Sequence, residues 1–450
     1  MKISEHIFRG YDIRGIYGDD LTDEVALEIG KGFGSYIQTL GKTKAIVGHD
    51  NRLSSESIEK YLIEGITSTG VDVVNIGLVT TPMYYFSWEK LGIFSGVMIT
   101  ASHNPKEYNG FKIAFDESGN AFGEKIQDFR KFIEKGNFEQ GNGNVYYEDI
   151  KEEYLKLINE SISLGNRKLK VVIDPGNGTS SVIVKDVFSM FDIDALYICD
   201  TSDANFPNHE ADPSVEKNLN MLKEKVLETG ADLGLAFDGD ADRVGVIDEK
   251  GGYIPADHYM IIIWRDIISK VKNKCALYDV KCTKALSDEV KKLGGTTYMY
   301  RVGNSYIKAK MKEGDFAFGG EYSGHIFFRD RWPGFDDGIY AGLRLIEILS
   351  KNNKKTSELL DGITKYYSTP EIKIHSTEQE KYNLVEKVKE YAIKCGYDIC
   401  DIDGVRIEFD DSWMLIRATQ TGPDVSLRFE AKSMERLNEL QEEFKKVIDF

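Results

Sequence analysis

The 450-residue chain is poor in cysteine, and none of its cysteines forms a Cys-x-x-Cys pair. Cys199, Cys275, Cys282, Cys395 and Cys400 are odd in number, which in a chain of this length is no disulfide framework. A reducing compartment, the cytoplasm, is therefore expected. Long apolar runs are also missing. Met1-Lys2-Ile3-Ser4-Glu5-His6 leads into no hydrophobic stretch, and the strongest one, Tyr259 to Trp264, falls far short of the about 20 residues a spanning helix needs. No targeting or transmembrane segment is expected. Basic residues are outnumbered, 57 against 74 acidic ones, and the net charge of −17 repels nucleic acid and anionic membrane at long range. Neither is an expected partner. An anionic small substrate stays open, provided that a local basic cluster meets it inside the negative field.

No long linker of low complexity interrupts the chain, and 41% hydrophobic with 29% charged residues is the composition of a folded globular protein. The length allows roughly three domains, or four smaller ones. Val- and Ile-rich segments alternate with amphipathic ones, as in Lys44 to Gly48 before Ser55 to Ser68 and Lys170 to Asp174 before Ser180 to Phe191, which is an α/β rhythm. Four times a predicted strand empties into a polar or Gly-rich loop. Gly96 to Thr100 runs into Ala101-Ser102-His103-Asn104-Pro105, and Leu233 to Phe237 into Asp238-Gly239-Asp240-Ala241-Asp242-Arg243. Asp315 to Phe318 runs into Gly319 to His325, and Trp413 to Ile416 into Arg417-Ala418-Thr419-Gln420-Thr421-Gly422-Pro423. Loops at strand ends are where open α/β sheets hold ligands, so one site assembled from four domains is expected. Gly- and Asn-rich Gly136 to Gly143, the turn at Lys250-Gly251-Gly252, and Lys351 to Lys355 with Ser368-Thr369-Pro370 divide the chain into residues 1–147, 148–250, 251–367 and 368–450. The last region pairs helical Glu378 to Cys395 and Met434 to Ile448 with short strands, a small α+β domain.

Each loop has a chemistry and a plain structural alternative. Asp238, Asp240 and Asp242 converge if their Gly-containing loop curls, and three carboxylates suit a hard divalent cation such as Mg²⁺, although an isolated Asp-x-Asp is more often an acidic turn. Ser102, after a strand and beside His103, is a hydroxyl presented on an exposed turn that can act as a nucleophile or merely cap a turn. Were it phosphorylated, its dianion and the aspartates would share the metal. Arg417, Thr419, Gln420, Thr421 and Arg428 offer guanidinium forks and short donors for a phosphate, or a solvated hairpin. Glu321 and Ser323 can read sugar hydroxyls, or sit in a Gly-rich turn.

Together these motifs resemble the α-D-phosphohexomutase superfamily, and within it the bacterial phosphomannomutase/phosphoglucomutase branch. The likeness covers nearly the whole chain and includes Phe8-Arg9-Gly10-Tyr11-Asp12-Ile13-Arg14-Gly15, the Ser102 loop through Lys112, the Asp238 loop, Asp279 to Thr283, and Gly320 to His325. It implies three related α/β domains plus a C-terminal α+β domain of the TATA-box-binding-protein-like kind around a central cleft. It also implies that Ser102 is phosphorylated, that Mg²⁺ lies between Ser102, Asp238, Asp240 and Asp242, and that Arg243 stays close to the transferring group. Lys112 becomes a candidate general acid or base beside or in place of His103. Arg9, Tyr11, Arg14, Lys281, Arg301, His325 and Arg428 join the substrate-binding set, and the family's basic groups at Arg9, Arg14, Lys112, Lys281 and Arg428 supply the positive cluster that the acidic chain requires. The implied reaction interconverts hexose 1-phosphate and hexose 6-phosphate of mannose, glucose or both, primed by a hexose 1,6-bisphosphate.

The chain departs from the family pattern at three places. The cradle reads Thr419-Gln420-Thr421-Gly422-Pro423 where Ser-Asn-Thr-Thr-Pro is usual. Gly303-Asn304-Ser305 replaces Gly-His-Ser, and asparagine cannot exchange a proton near neutral pH. Tyr322 stands where methionine is common in the mannose/glucose enzymes and glutamine in phosphoglucosamine mutases. Phosphoglucosamine mutase, a metal-dependent sugar-phosphate phosphatase and a catalytically silent phosphosugar-binding protein are the competing readings.

Overall fold

The structure, a computed structural model, describes residues 3–377, 379–420 and 422–450. Two compact units divide the chain: Met1–Tyr259 with Ser323–Leu359, and Met260–Tyr322 with Leu360–Phe450. Residues 251–367 thus contribute to both.

The first unit carries two mixed sheets. One is ordered Ile13–Ile16, Tyr108–Ala114, Gly96–Ile99, Lys44–His49, Asp72–Leu78, Val145–Tyr147. Its central strands Lys44–His49 and Gly96–Ile99 pair in parallel and are buried along nearly their whole length, as strands covered by helices on both faces must be. The helices Asp23–Thr39 and Ser55–Thr67 pack backbone to backbone: a Cβ on Gly30 would fall 2.3 Å from the Leu62 carbonyl oxygen, and one on Gly65 2.2 Å from that of Leu27. The second sheet runs Tyr253–Ile254, Val244–Asp248, Leu233–Phe237, Leu169–Asp174, Ile193–Tyr197. Helix Gly338–Ser350 lies against it at Gly342 and Leu235 and is capped by Asp337, whose carboxylate accepts from Tyr340 N at 2.9 Å and from the Tyr154 hydroxyl at 2.6 Å.

In the second unit, Cys275–Asp279 pairs in parallel with Thr296–Tyr300 and with Phe318–Gly320. A separate antiparallel sheet orders Tyr367–Ser368, Val425–Ala431, Ser412–Ala418, Val405–Glu408, Asp398–Cys400, with Ile372–Ile374 pairing to Val425–Ala431. Helices Glu380–Cys395 and Met434–Lys445 close its core through Val388, Leu440 and Phe444 against Ile407, Ile416 and Phe429. The α/β sheets and the C-terminal α+β region agree with the fold class expected from the sequence. No helix among the described residues is long and apolar enough to cross a membrane.

Local details differ from expectation. Ser180 to Phe191 is not one helix but a 3-10 turn, Thr179–Val182, followed by Val184–Ser189, broken at Ile183 where the backbone leaves helical geometry. The third loop begins later than expected, because Asp315 takes a left-handed conformation and the strand runs Phe318–Gly320. Arg417 lies inside the strand Ser412–Ala418 and not in the turn that follows.

Candidate active site

In the first unit, strand Leu233–Phe237 ends at Asp238, and the loop curls back antiparallel into Val244–Asp248. Ala241 adopts φ +67°, and the turn folds the three carboxylates inward, all fully buried, with ligand atoms within 4.8 Å of one another. Asp238 is anchored through both carboxylate oxygens, Asp240 and Asp242 through one. Asp238 Oδ1 accepts from Arg243 N at 3.0 Å, and its Oδ2 accepts from the Ser102 hydroxyl at 2.8 Å. Asp240 Oδ2 accepts from the Thr81 hydroxyl at 2.6 Å and from Lys112 Nζ at 2.7 Å, while Asp242 Oδ2 accepts from Lys112 at 2.5 Å. Among the described residues Asp240 Oδ1 and Asp242 Oδ1 have no hydrogen-bond partner, although His325 Nδ1 lies 3.4 Å from the latter. Buried carboxylate oxygens left unpaired are costly, and an all-oxygen donor set of this kind suits a hard divalent ion, so the triad can hold a metal.

Burial opposes charge in this cluster, and the neighbours decide the outcome. Burial together with Asp242 and Asp240 pushes the Asp238 carboxyl well above the usual carboxylate range. Burial also raises Asp240, but the Lys112 ammonium overrides it and holds the group low. Lys112 loses solvation too, yet Asp240 and Asp242 keep it charged well above an ordinary lysine. A permanent ammonium between two aspartates neutralises and orients them, which fits poorly with a role as a base.

Ser102 is only 1% exposed, so the exposed turn expected from the sequence is in fact a packed one. Its φ of +50° turns Oγ towards Asp238, with Thr100 Oγ1 accepting from Ser102 N at 2.8 Å and His103 Nδ1 lying 3.2 Å from Oγ. The aspartate loop presses so closely that a Cβ on Gly239 would stand 2.4 Å from the Ser102 carbonyl oxygen, which reserves that position for glycine. Burial, with Arg243 and Arg14 nearby, holds the His103 imidazole well below its ordinary pKa, hence neutral. A cavity of about 270 Å³ opens on Ser102 and His103 and is bounded by Arg52, Lys106, Phe206 and Glu210.

Of the residues expected to bind substrate, Arg14 donates to Ala101 O at 3.1 Å and Asn104 Oδ1 at 2.6 Å and pairs with Asp12 at 2.8 Å. Tyr11 lies within electrostatic reach of Arg14 and Arg243. Arg9 donates its backbone N–H to Asp12 O at 2.9 Å. Arg243 Nε donates to His325 Nε2 at 3.0 Å, so that ring carries its proton on Nδ1, 2.9 Å from Asp336 Oδ2. The reading of the sequence missed Arg52. This buried guanidinium donates to the carbonyls of Ser102, Asn104, Pro105 and Tyr108 at 2.7–2.9 Å and pairs with Asp50 at 3.2 Å. Its signal was available, since strand Lys44–His49 also empties into a polar loop, Asp50-Asn51-Arg52.

The remaining residues fall in the second unit, apart from Ser323, which is half-buried and opens the segment assigned to the first. Glu321 is buried and accepts from Gly303 N at 2.6 Å. Arg301 stacks on Tyr306, 4.4 Å from the ring centre. Arg417 donates through Nε to Asp403 at 3.0 Å, and Lys281 pairs with Glu371 at 3.4 Å. Arg428 donates to Lys281 O and lies 3.8 Å over the Tyr322 ring. Thr419 and Gln420 are half-buried in the turn, and Thr421 lies outside the described residues. Beneath that turn Lys381, also missed and without any local signal on its amphipathic helix, donates to Thr419 O and Gly422 O, each at 3.0 Å.

Four domain models of one family match most of the chain. Models of phosphoglucomutase/phosphomannomutase alpha/beta/alpha domains I, II and III match residues 5–140, 144–252 and 255–367, and the family's C-terminal domain matches 371–447. A phosphomannomutase/phosphoglucomutase of Pseudomonas aeruginosa is 41% identical over 439 residues, covering 98% of this chain and 94% of that protein. A phosphoglucomutase of Neisseria meningitidis serogroup A is 40% identical over 454 residues, covering 100% and 98%. The crystal structure of a phosphoglucomutase/phosphomannomutase family protein from Burkholderia thailandensis superposes with a TM-score of 0.92 at 37% identity, covering 99% of this chain and 98% of that one. The chain belongs to the phosphoglucomutase/phosphomannomutase family.

Proposed function

We propose that the protein is a hexose phosphate mutase that moves a phosphoryl group between O1 and O6 of mannose phosphate, glucose phosphate or both, with phosphorylated Ser102 as carrier. The observation that carries this reading is the 2.8 Å hydrogen bond from Ser102 Oγ to Asp238, next to two buried carboxylate oxygens with no hydrogen-bond partner among the described residues. A nucleophile and a cation site in one place are what phosphoryl transfer requires. Mg²⁺ is the ion we assign to Asp238, Asp240, Asp242 and the serine phosphate; when bound it withdraws negative charge from the transferring group.

In the forward half-reaction the Ser102 Oγ–P bond breaks as a bond forms from phosphorus to the free sugar hydroxyl oxygen. The hydroxyl proton ends on Oγ, and His103, 3.2 Å away and held neutral, is the side chain we assign to relay it. Lys112 and Arg243, both kept charged, offset the phosphoryl charge without exchanging protons. The bisphosphate then presents its other phosphate and returns it to Ser102, and a hexose 1,6-bisphosphate primes the serine. Arg9, Tyr11, Arg14, Lys281, Arg301, Arg417, Thr419, Gln420, Thr421 and Arg428 are assigned to the phosphate and ring. Glu321, Ser323 and His325 are assigned to the sugar hydroxyls and the transferring group. A phosphate contact made mainly of charge serves either end of the sugar, while hydroxyl contacts are re-formed after the turn. The five free cysteines are in keeping with a reducing cytoplasm.

Tyr322, neither the methionine nor the glutamine of the two related specificities, keeps glucosamine phosphate in the test. A coupled assay with mannose, glucose and glucosamine 1-phosphates, each with its 1,6-bisphosphate, should give the highest kcat/KM for mannose or glucose. A clear preference for glucosamine phosphate would overturn the substrate assignment, and release of inorganic phosphate as fast as isomerisation would make the protein a phosphatase. Ser102→Ala should lower kcat by roughly a thousandfold or more while sugar phosphate still binds, and an unchanged kcat would remove Ser102 as carrier.

A further inference from the structure

A second cluster in the first unit brings three different ligand types together outside the residues just assigned. Asp174, fully buried, ends strand Leu169–Asp174; Cys199 follows strand Ile193–Tyr197; and His209 lies in the loop beyond. One carboxylate oxygen, the thiol sulfur and one imidazole nitrogen lie within 4.8 Å of one another, a span a metal ion can bridge after a modest contraction. The imidazole is aimed. Its Nδ1 is turned onto the backbone carbonyl oxygen of Glu210 at 2.9 Å, outside the cluster, which leaves Nε2 facing Asp174 Oδ2 at 3.0 Å. A ring fixed through one nitrogen by a carbonyl and offering the other inward is how metal-bound histidines are oriented.

We propose that Asp174, Cys199 and His209 form a second cation site, selective for a thiophilic divalent ion of the zinc class, with solvent supplying the remaining ligand. The donor chemistry separates it from the aspartate triad: sulfur and nitrogen select zinc-like ions, whereas three carboxylates and a phosphate select magnesium-like ones. Burial works against a charged ring, yet hydrogen bonds to Asp174 and Cys199 lift the His209 pKa to about 10. The site is wired to the triad loop through backbone: Gly239 N donates to Ala211 O at 3.2 Å, two residues from His209, and Thr179 N donates to Gly239 O at 2.8 Å. Occupancy restrains the two segments on which Gly239, between Asp238 and Asp240, is hung.

The test uses the full chain, stripped of metal by chelation and dialysed into millimolar Mg²⁺ so that the triad is occupied. Titration with Co²⁺ should produce the near-ultraviolet charge-transfer band of a thiolate-bound cobalt ion, saturating at one equivalent and lost on adding Zn²⁺. Cys199→Ser should abolish the band, His209→Gln should weaken Co²⁺ binding by about tenfold or more, and Asp240→Asn should leave the band in place. Absence of the band in the unmodified protein, or its persistence in Cys199→Ser, overturns the proposal. Should Cys199→Ser fail to fold, peptide mapping of thiol alkylation in the unmodified protein decides instead. Zn²⁺ must slow modification of Cys199 by about tenfold or more, and an unchanged rate also overturns the proposal.

Discussion

Two buried cations, Arg52 and Lys381, each hold a functional loop from inside, and they hold it differently. Arg52 spreads its planar fork over four carbonyls of the Ser102 loop, from Ser102 to Tyr108, and is itself fixed by Asp50. Lys381, equally buried, reaches two carbonyls, Thr419 and Gly422, at the neck of the proposed phosphate cradle. A guanidinium fixes position and direction at several points, whereas an ammonium acts as a point charge. A phosphoryl carrier must meet its acceptor within a fraction of an ångström, while a cradle that takes either end of a sugar gains from a looser neck. On the proposed function, geometry would be imposed on the Ser102 loop and affinity supplied by the cradle.

The largest effect should come from breaking the tighter clamp. Arg52→Ala removes four charge-assisted hydrogen bonds and the guanidinium beside Asp50 Oδ2, which should cost about 3–5 kcal/mol of stability by chemical denaturation. In protein that remains folded, kcat should fall by about a hundredfold through misplacement of Ser102, with KM little changed. Arg52→Lys should restore much of the stability but not the rate, and wild-type turnover in that variant would show that the fork has no special part. Arg417→Ala comes next and acts on the other side of the comparison. Loss of a charged phosphate donor is worth about 1.5–3 kcal/mol, so calorimetric affinity should fall about tenfold or more, equally for 1-phosphate and 6-phosphate. A loss confined to one isomer would contradict a cradle shared by both ends.

The contrast also marks what the sequence makes legible. Ser102 and the aspartate triad could be read because each follows a strand, and Arg417 and Arg428 because they flank a polar turn; all carry chemistry in the side chain. Their burial could not, since Ser102 is enclosed by Gly239, a contact 137 positions away in the chain. Arg52 follows a strand in the same manner but looks like an ordinary surface arginine until four carbonyls are seen to converge on it. Lys381 is illegible in principle. The oxygens of Thr419 and Gly422 that it donates to are backbone atoms, which carry no sequence, and its helix has the same pattern whether the lysine points to water or inward. The paired strands and their helices were readable from period alone, whereas the break at Ile183 and the extension of a strand through Arg417 depend on packing that a local pattern does not encode.

Lys381→Met tests the looser clamp. The substitution keeps the apolar stem and deletes only the ammonium, leaving two carbonyls to find water, for a cost of about 1 kcal/mol. KM for both sugar phosphates should rise about threefold to tenfold with kcat unchanged. A fall in kcat as large as that of Arg52→Ala would erase the distinction between the two loops.

The smallest effect concerns Tyr322, whose ring lies under Arg428 at 3.8 Å and near Lys281 at 5.7 Å, and whose N–H donates to Asp279 at 2.9 Å. Asp279 in turn accepts from Lys281 N at 2.7 Å, so the residue after Glu321 is tied to two cations proposed for phosphate binding. The ring face stabilises a guanidinium by about 1 kcal/mol, which corresponds to about fivefold in affinity. Tyr322→Leu removes the aromatic face and should weaken binding of inorganic phosphate and of both sugar phosphates by that factor, with little change in kcat. Tyr322→Phe keeps the face and loses only the hydroxyl, so it should stay within about twofold of the unaltered protein. If Phe is as damaging as Leu, the hydroxyl matters and not the ring, and Tyr322 belongs with the groups that read the sugar. If Leu instead changes the ranking of mannose against glucose phosphate while phosphate affinity holds, the position sets specificity and the cation stack is incidental.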